Sequence, residues 1–261
     1  HFIGKDIIYF HTLFWPAMLH GAGFRKPSAV FVHGFLTVDG KKMSKSRGTF
    51  VAARTYLKHL NPEYLRYYYA AKLGPDVDDI DLNLEDFAAR VNSDLVGKFV
   101  NIASRASRFV TQHFEGRLAA RLDDASLYEA FVLAGDEIAT FYEKREFSKA
   151  IRQIMALADR ANEYIDRQKP WTLFKDGQME KGHLVCTQAL NLYRVLVTYL
   201  KPILPRTAVA SEALLGTTDT TWDACAKPLL ASRINPFQSL VERVDPKALA
   251  AVIEESKESK V

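Results

Sequence analysis

Apolar residues recur along much of the chain at spacings of three and four. Phe87, Val91, Leu95, Phe99, Ile102, Ala106 and Phe109 form one unbroken stripe, with Asn83 ahead of it as a helix cap and Asp86 in its first turn. Phe147, Ile151, Ile154, Ala158, Ala161 and Ile165 form a second stripe, and residues 125–144 carry a third helical pattern between the two. Further helices fit residues 181–200 and 205–215. Successive amphipathic helices with short connections predict an α-helical bundle. Upstream, Asn61-Pro62-Glu63 is a cap, a proline and an acid in the order a helix start favours; that helix carries Leu65, Tyr68 and Tyr69 and stops before Gly74-Pro75. Residues 76–81 read as an exposed acidic connector, and Asp245-Pro246-Lys247 opens a last helix that runs into a charged tail.

The first forty residues follow a different rhythm. Gly4 precedes Ile7, Phe10, His11 and Phe14, a loop entering a helix, with Asp6 near the positive end of its dipole. Gly21 and Gly23 close that helix, and residues 29–38, rich in β-branched and aromatic side chains, read as one extended segment. Such a succession belongs to α/β architecture. No internal repeat or low-complexity tract interrupts the chain.

Composition narrows the class only moderately. With 261 residues, 48% hydrophobic and 25% charged, the chain has the balance of a soluble globular protein, and a net charge of +4 fits nucleic acid as a partner without requiring it. Cys186 and Cys225 are far apart, with no ligand-like spacing, so neither a disulfide framework nor a structural zinc site can be argued, and a reducing, cytoplasmic setting is the default. No apolar run is long enough to span a membrane. His1 stands where a methionine would open a complete chain, which leads us to expect a fragment or a processed product.

Chemistry concentrates in the stretch from Val38 to Thr49. Lys41, Lys42, Lys45 and Arg47 are cationic, Ser44 and Ser46 add hydroxyls, and Gly40 and Gly48 flank the run. A glycine-hinged loop of ammonium and hydroxyl donors suits a polyanion, while a solvated basic patch remains the plain alternative. Several other positions are open in the same way. His11 and Trp15 share a helix face and suit either a packed core or a pocket wall. Gly4 and Asp6 suit a ribose contact or an ordinary helix start. Asn101, Arg105 and Arg108 form a polar face that is either solvated or reads base edges. Trp171, held by Pro170, is either a core tryptophan or a stacking platform for an unpaired base. Asp159 and Asp166, one heptad apart, would orient arginines or repel phosphate. No Ser-His-Asp set, paired-carboxylate site or glycine-rich phosphate loop is present, so any chemistry is charge stabilisation.

Lys42-Met43-Ser44-Lys45-Ser46 resembles the KMSKS signature of class I aminoacyl-tRNA synthetases. The runs His1-Phe2-Ile3-Gly4-Lys5-Asp6 and Phe10-His11-Thr12-Leu13-Phe14-Trp15-Pro16, the segment Asp79-Ile80-Asp81-Leu82-Asn83-Leu84, and Asn101, Arg105 and Pro170-Trp171 are similar to the methionyl-tRNA synthetase family. The resemblance covers essentially the whole chain. It implies a mainly α protein: a remnant of a Rossmann-like α/β catalytic domain at 1–40, a KMSKS and stem-contact region at 41–97, an anticodon-binding bundle at 98–245, and a terminal helix and tail at 246–261.

The resemblance also implies roles. Lys42 and Lys45 would be catalytic, neutralising the charge of departing pyrophosphate. Gly4, Asp6, Phe35, Leu36 and Lys45 would contact ATP, which arrives with Mg2+. Phe10, His11 and Trp15 would wall the methionine side chain, and Asn101, Arg105, Pro170 and Trp171 would read the CAU anticodon of tRNA(Met). The family's HIGH signature and its zinc-bearing insertion lie outside this chain, so the expectation is a partner half that supplies the rest of the catalytic fold and a chain unable to form methionyl adenylate alone. The alternatives are a stand-alone RNA-binding module without catalysis, or another class I synthetase such as the cysteine or leucine enzyme.

Overall fold

The computed structural model describes residues 1–43 and 51–258; Lys45, with the rest of the basic loop from Ser44 to Phe50, lies outside the described residues. The chain opens on strand β1 (Phe2–Gly4), which pairs in parallel with β2 (Phe31–His33). The crossover between them holds a 3-10 turn (Lys5–Ile7), a π-helical segment (Phe10–Phe14) and helix α1 (Trp15–Gly21). This is a small α/β unit, as the change of rhythm at the amino end leads one to expect.

The segment at 29–38 is not one strand. After β2 the chain leaves the first sheet, and β3 (Leu36–Val38) joins a second, pairing antiparallel with β4 (Lys41–Lys42) and parallel with β5 (Ile80–Leu82). The break falls at Gly34, where a Cβ would stand 2.0 Å from the Asp78 carbonyl oxygen, so only glycine allows the two backbones to approach this closely. The Phe35 amide then donates to Asp79 Oδ1 at 2.7 Å, and the Ile80 amide donates to the Phe35 carbonyl at 2.8 Å. The acidic stretch at 76–81 is therefore only partly a connector. Its end becomes β5, with Leu82 buried beneath it.

Helices follow in the expected places. Helix α2 (Ala53–His59) leads to α3 (Pro62–Ala70), where Asn61 accepts from the Glu63 amide at 2.9 Å as the cap its sequence announces. Helix α4 (Leu84–Arg90), a π-helical stretch (Val91–Val100) and α5 (Asn101–Phe114) run on as one rod. Its apolar stripe from Phe87 to Ala106 is buried, and Phe109 packs against the same core. The wider π turns in the middle of the rod are invisible in a pattern of threes and fours.

Helices α6 (Ala125–Glu143), α7 (Phe147–Gln168), α8 (Pro170–Lys175), α9 (Met179–Leu200) and α10 (Pro205–Leu215) complete the bundle, and α11 (Pro246–Glu258) returns to pack on α2. Helix α9 is the axis. From Leu184 to Leu200 it is buried on every side, touching α5, α6, α7, α8 and α10, although it carries polar as well as apolar side chains. Its polar residues are spent on backbone. Asn191 grips both the N–H and the C=O of Leu229, and Arg194 donates to the carbonyls of Lys227, Asp219 and Ala224. These bonds fasten the long segment between α10 and α11, which carries only a short 3-10 turn, Asp223–Ala226.

The amino-terminal unit and the segment after α3 both touch the bundle. The Arg145 guanidinium lies 3.8 Å from the Phe31 ring centroid, and the Ser148 amide donates to the Leu73 carbonyl at 2.9 Å. Among the described residues no helix is long and apolar enough to cross a membrane.

Candidate nucleic-acid interface

Helix α7 lies beside the π–α5 rod in parallel. Lys98 pairs with Asp159 at 2.9 Å, Asn101 with Asn162 at 3.2 Å and Arg105 with Asp166 at 2.5 Å, each pair separated by the same 61 residues. A constant offset means that both helices climb together, so polar residues at three- and four-residue spacings on one meet those on the other.

Asn101 and Arg105 stand in the middle of this seam. Asn162 donates through Nδ2 to the carbonyls of Lys98 and Ala158, which fixes its amide plane and turns its Oδ1 toward the Asn101 amine. That bond commits the Asn101 Nδ2 to the protein and leaves its Oδ1 the natural acceptor for an incoming donor. Arg105 is half-buried and doubly held. Its Nη2 donates to Asp166, and its guanidinium lies 4.8 Å from the Trp171 ring centroid.

Trp171 reaches this place through a local backbone device. Helix α7 is capped by Lys169 in a left-handed conformation (φ 48°), and buried Pro170 immediately starts α8. The turn swings the next side chain onto the seam, where Trp171 stays 39% exposed beside the arginine. A buried core position for this tryptophan is thereby ruled out. Arg108 stays exposed on the outer side of α5, so of the polar face read at 101, 105 and 108 only Asn101 and Arg105 enter the cluster. Of the two acids, Asp166 orients an arginine, whereas Asp159 holds Lys98 instead. Asn162 is the residue that sequence reasoning missed. Nothing local marks it, because its partner lies 61 positions away.

Gly4 ends β1, and a Cβ there would meet Asp6 Oδ1 at 2.8 Å, so Gly4 and Asp6 are brought together as an adjoining pair. Leu36 begins β3, and Phe35 precedes it with its ring 4.6 Å from the Lys5 ammonium. Lys5 in turn pairs with Asp79 at 2.6 Å, and this hydrogen bond, followed by that from the Phe35 amide, holds the Asp79 carboxyl below the usual carboxylate range. Lys42 sits in β4; Lys45 lies outside the described residues.

Phe10, His11 and Trp15 share the helical segment after β1. His11 Nδ1 donates to the Ile7 carbonyl at 3.0 Å, which leaves Nε2 as the acceptor of the neutral ring. Phe10 is 59% and Trp15 44% exposed, and Leu13, Phe14 and Met18 are exposed with them. The three positions thus form part of an open, largely apolar face.

Among the described residues no three His, Cys, Asp or Glu side chains gather as metal ligands, and Cys186 and Cys225 are separate buried thiols. Burial pushes the Cys186 thiol up to about 12, far from the thiolate a zinc ion needs. These residues do not fit a zinc site.

Residues 1–107 match the model of the class I (M) tRNA synthetases, and residues 119–255 match the anticodon binding domain of methionyl tRNA ligase. The Mycobacterium tuberculosis methionyl-tRNA synthetase in complex with methionyl-adenylate is similar over 92% of this chain and 49% of its own, with 26% identity and a TM-score of 0.84. The apo form of the same organism's enzyme aligns over 94% of this chain and 50% of its own, at 24% identity and a TM-score of 0.82, a likeness of fold. The chain spans about half the length of these structures. As the anticodon-domain match alone covers more than half of its residues, the chain belongs to the methionyl-tRNA synthetase family.

Proposed function

We propose that this chain is the part of a methionine–tRNA ligase that reads the CAU anticodon of tRNA(Met) and contributes the KMSKS loop. One observation carries the reading: Asn101 and Arg105, one turn apart on α5, meet Trp171 of α8 on one partly exposed surface. Cytosine offers an amino donor and ring acceptors on its pairing edge. The Asn101 Oδ1 would accept from the amino group, the Arg105 guanidinium would donate to the acceptors, and Trp171, turned by Pro170, would stack on the ring. Uracil, with an oxygen where cytosine carries its amino group, would set acceptor against acceptor. Asp166 and Asn162 hold the two readers in their planes.

The catalytic contribution is positioning and electrostatics. In adenylate formation the methionine carboxylate attacks the α-phosphorus of ATP, and pyrophosphate leaves. Lys42 and Lys45 would stabilise the charge building on the leaving group, with Mg2+ accompanying the nucleotide as part of the substrate. Gly4 and Asp6 would take the ribose, and the backbone at Phe35 and Leu36 would flank the adenine. Phe10, His11 and Trp15 would enclose the thioether. The methionyl group then passes to the 3′ end of the tRNA. Functional boundaries follow at 40/41, 97/98 and 245/246, and the setting is cytoplasmic.

Since the proposed methionine wall stands open to solvent, the 261 residues alone do not form the adenylate on this reading. The test combines two measurements on the chain. A CAU stem-loop should bind more tightly than a scrambled loop by several kcal/mol, a specificity gap typical of base readout. Equal binding of both loops with a steep salt dependence would instead identify a generic basic RNA-binding module. Methionine-dependent pyrophosphate–ATP exchange should stay at background; clear turnover would sink the claim that the site is incomplete.

A further inference from the structure

The hairpin that leads into Lys42 is built on two residues of another element. Val38-Asp39-Gly40-Lys41 is a two-residue turn with positive φ at both centres, 47° at Asp39 and 71° at Gly40, the geometry that Asp-Gly favours. The turn is held from outside the hairpin. Asp81 Oδ1 accepts from the Gly40 amide at 2.8 Å and from the Thr37 hydroxyl at 2.7 Å. Asn83 Nδ2 donates to Asp39 Oδ1 at 3.2 Å, and the Asp39 amide donates to the Leu82 carbonyl at 3.3 Å.

Asn83 is at the same time the cap of α4, its Oδ1 accepting from the Asp86 amide at 2.8 Å. One side-chain amide therefore joins the turn before Lys42 to the first turn of the rod that carries Asn101 and Arg105. Behind it, Lys72 Nζ donates to the Asp81 carbonyl at 3.0 Å and pairs with Asp86 at 3.0 Å. Burial pulls Lys72 down, but its bonds to the Tyr68 hydroxyl and to Asp86 outweigh this and raise its pKa, so it stays charged. Tyr68, fully buried, accepts from the Asn83 amide at 3.3 Å. The β5–α4 junction is thus braced on the side away from the hairpin. From Asn83 to Asn101 the rod extends roughly 25 Å at the helical rise.

We propose that Asp81 and Asn83 are positioning residues, which set the direction of the strand bearing Lys42 from the amino end of the anticodon helix. The proposal rests on the reading of Lys42 as a charge-stabilising residue and of Asn101 and Arg105 as base readers. A cap alone would not need the second bond. An aspartate in this place would cap the helix equally well, but its carboxylate could not donate to Asp39 while accepting from Asp86.

The test separates these two bonds. Asn83→Asp keeps the cap acceptor, removes the donor and sets two carboxylates against each other at the turn. Asp39→Asn in the same chain restores a donor–acceptor pair with its direction reversed, and asparagine tolerates the left-handed conformation that residue 39 requires. Amide hydrogen exchange of the 261-residue chain should speed at least tenfold at Asp39 and Gly40 in Asn83→Asp. Exchange over α4 and α5 and the melting temperature should hold, and the double variant should return to within a few-fold of the parent. Unchanged exchange at the turn, no rescue in the double variant, or acceleration spread evenly through α4 and α5 would each overturn the proposal. CAU stem-loop affinity, measured beside it, should be retained in all three proteins. A parent chain without CAU preference would remove the functional reading and would leave the exchange result standing by itself.

Discussion

Arg105 donates to Asp166 at 2.5 Å while its guanidinium lies 4.8 Å from the centroid of the Trp171 ring. The carboxylate fixes one edge of the arginine and the indole fixes its plane, so the side chain is ordered before any ligand arrives. Ordering a rotamer-rich side chain in advance lowers the entropy cost of binding.

Arg105→Lys retains the charge but loses the planar fork and the stack on Trp171. We expect CAU stem-loop binding to weaken by about 1–3 kcal/mol, the worth of a good base-edge contact, with little change for a scrambled loop. Titration of both RNAs at two salt concentrations checks it. Equal losses for the two RNAs would place Arg105 among phosphate contacts.

Lys45→Gln tests the leaving-group role in a protein that completes the catalytic fold. The adenylation rate should fall far more than methionine affinity, as for an interaction made mainly in the transition state. Pre-steady-state adenylate formation and equilibrium methionine binding separate the two quantities. A fall in affinity at constant rate contradicts the assignment.

Glu63 joins α3 to α10. Buried on α3, it accepts from the Arg206 amide at 2.5 Å and from the Thr207 amide and hydroxyl at 3.0 and 2.6 Å, capping α10 from another element. Glu63→Ala removes the acceptor of both amides, that of Thr207 being buried, for a loss of about 3 kcal/mol. In a protein of this size that lowers the melting temperature by about 6–12 °C. Glu63→Gln, which keeps one acceptor oxygen, should fall between.

Acid should destabilise the fold through capping and paired carboxylates. The Asp124 carboxyl, which caps α6, is held below its ordinary range by the Ser126 hydroxyl and then the Leu127 amide, and Asp79 is held down by Lys5. A depressed folded-state pKa contributes stability that is fully present above the unfolded value, about 4, and lost as pH falls through the folded value. Melting temperature should hold from pH 7 to about 5 and drop below about 4. Asp124→Asn, which still caps but cannot titrate, should show a shallower acid limb. An identical limb would assign the acid loss to other groups.

Much of the bundle was legible because its signals are local. Asn61-Pro62-Glu63 and Asn83 cap helices as their sequence suggests, and the stripes from Phe87 and Phe147 are buried. The signals that failed depend on distant backbone. Residues 29–38 divide between two sheets because Gly34 meets Asp78, and residues 80–82 become a strand only because β3 lies beside them. Of the candidate interface, Asn101, Arg105 and Trp171 carry recognisable chemistry in the sequence. Their supports do not: Asn162 is one amide among many until two helices settle in parallel at a constant offset.

The shared direction of α5 and α7 has an electrostatic consequence. Helix α7 ends at Gln168, so its last, unsatisfied carbonyls lie within a turn of Asp166 and add about half a negative charge beside Arg105. Together they offset part of the arginine's charge. On the proposed reading, the place that would offer a base its hydrogen bonds is less cationic than a bare guanidinium, and a phosphate would gain correspondingly less there. Discrimination between a nucleobase edge and the backbone that carries it would then be set by the direction in which the chain enters one helix.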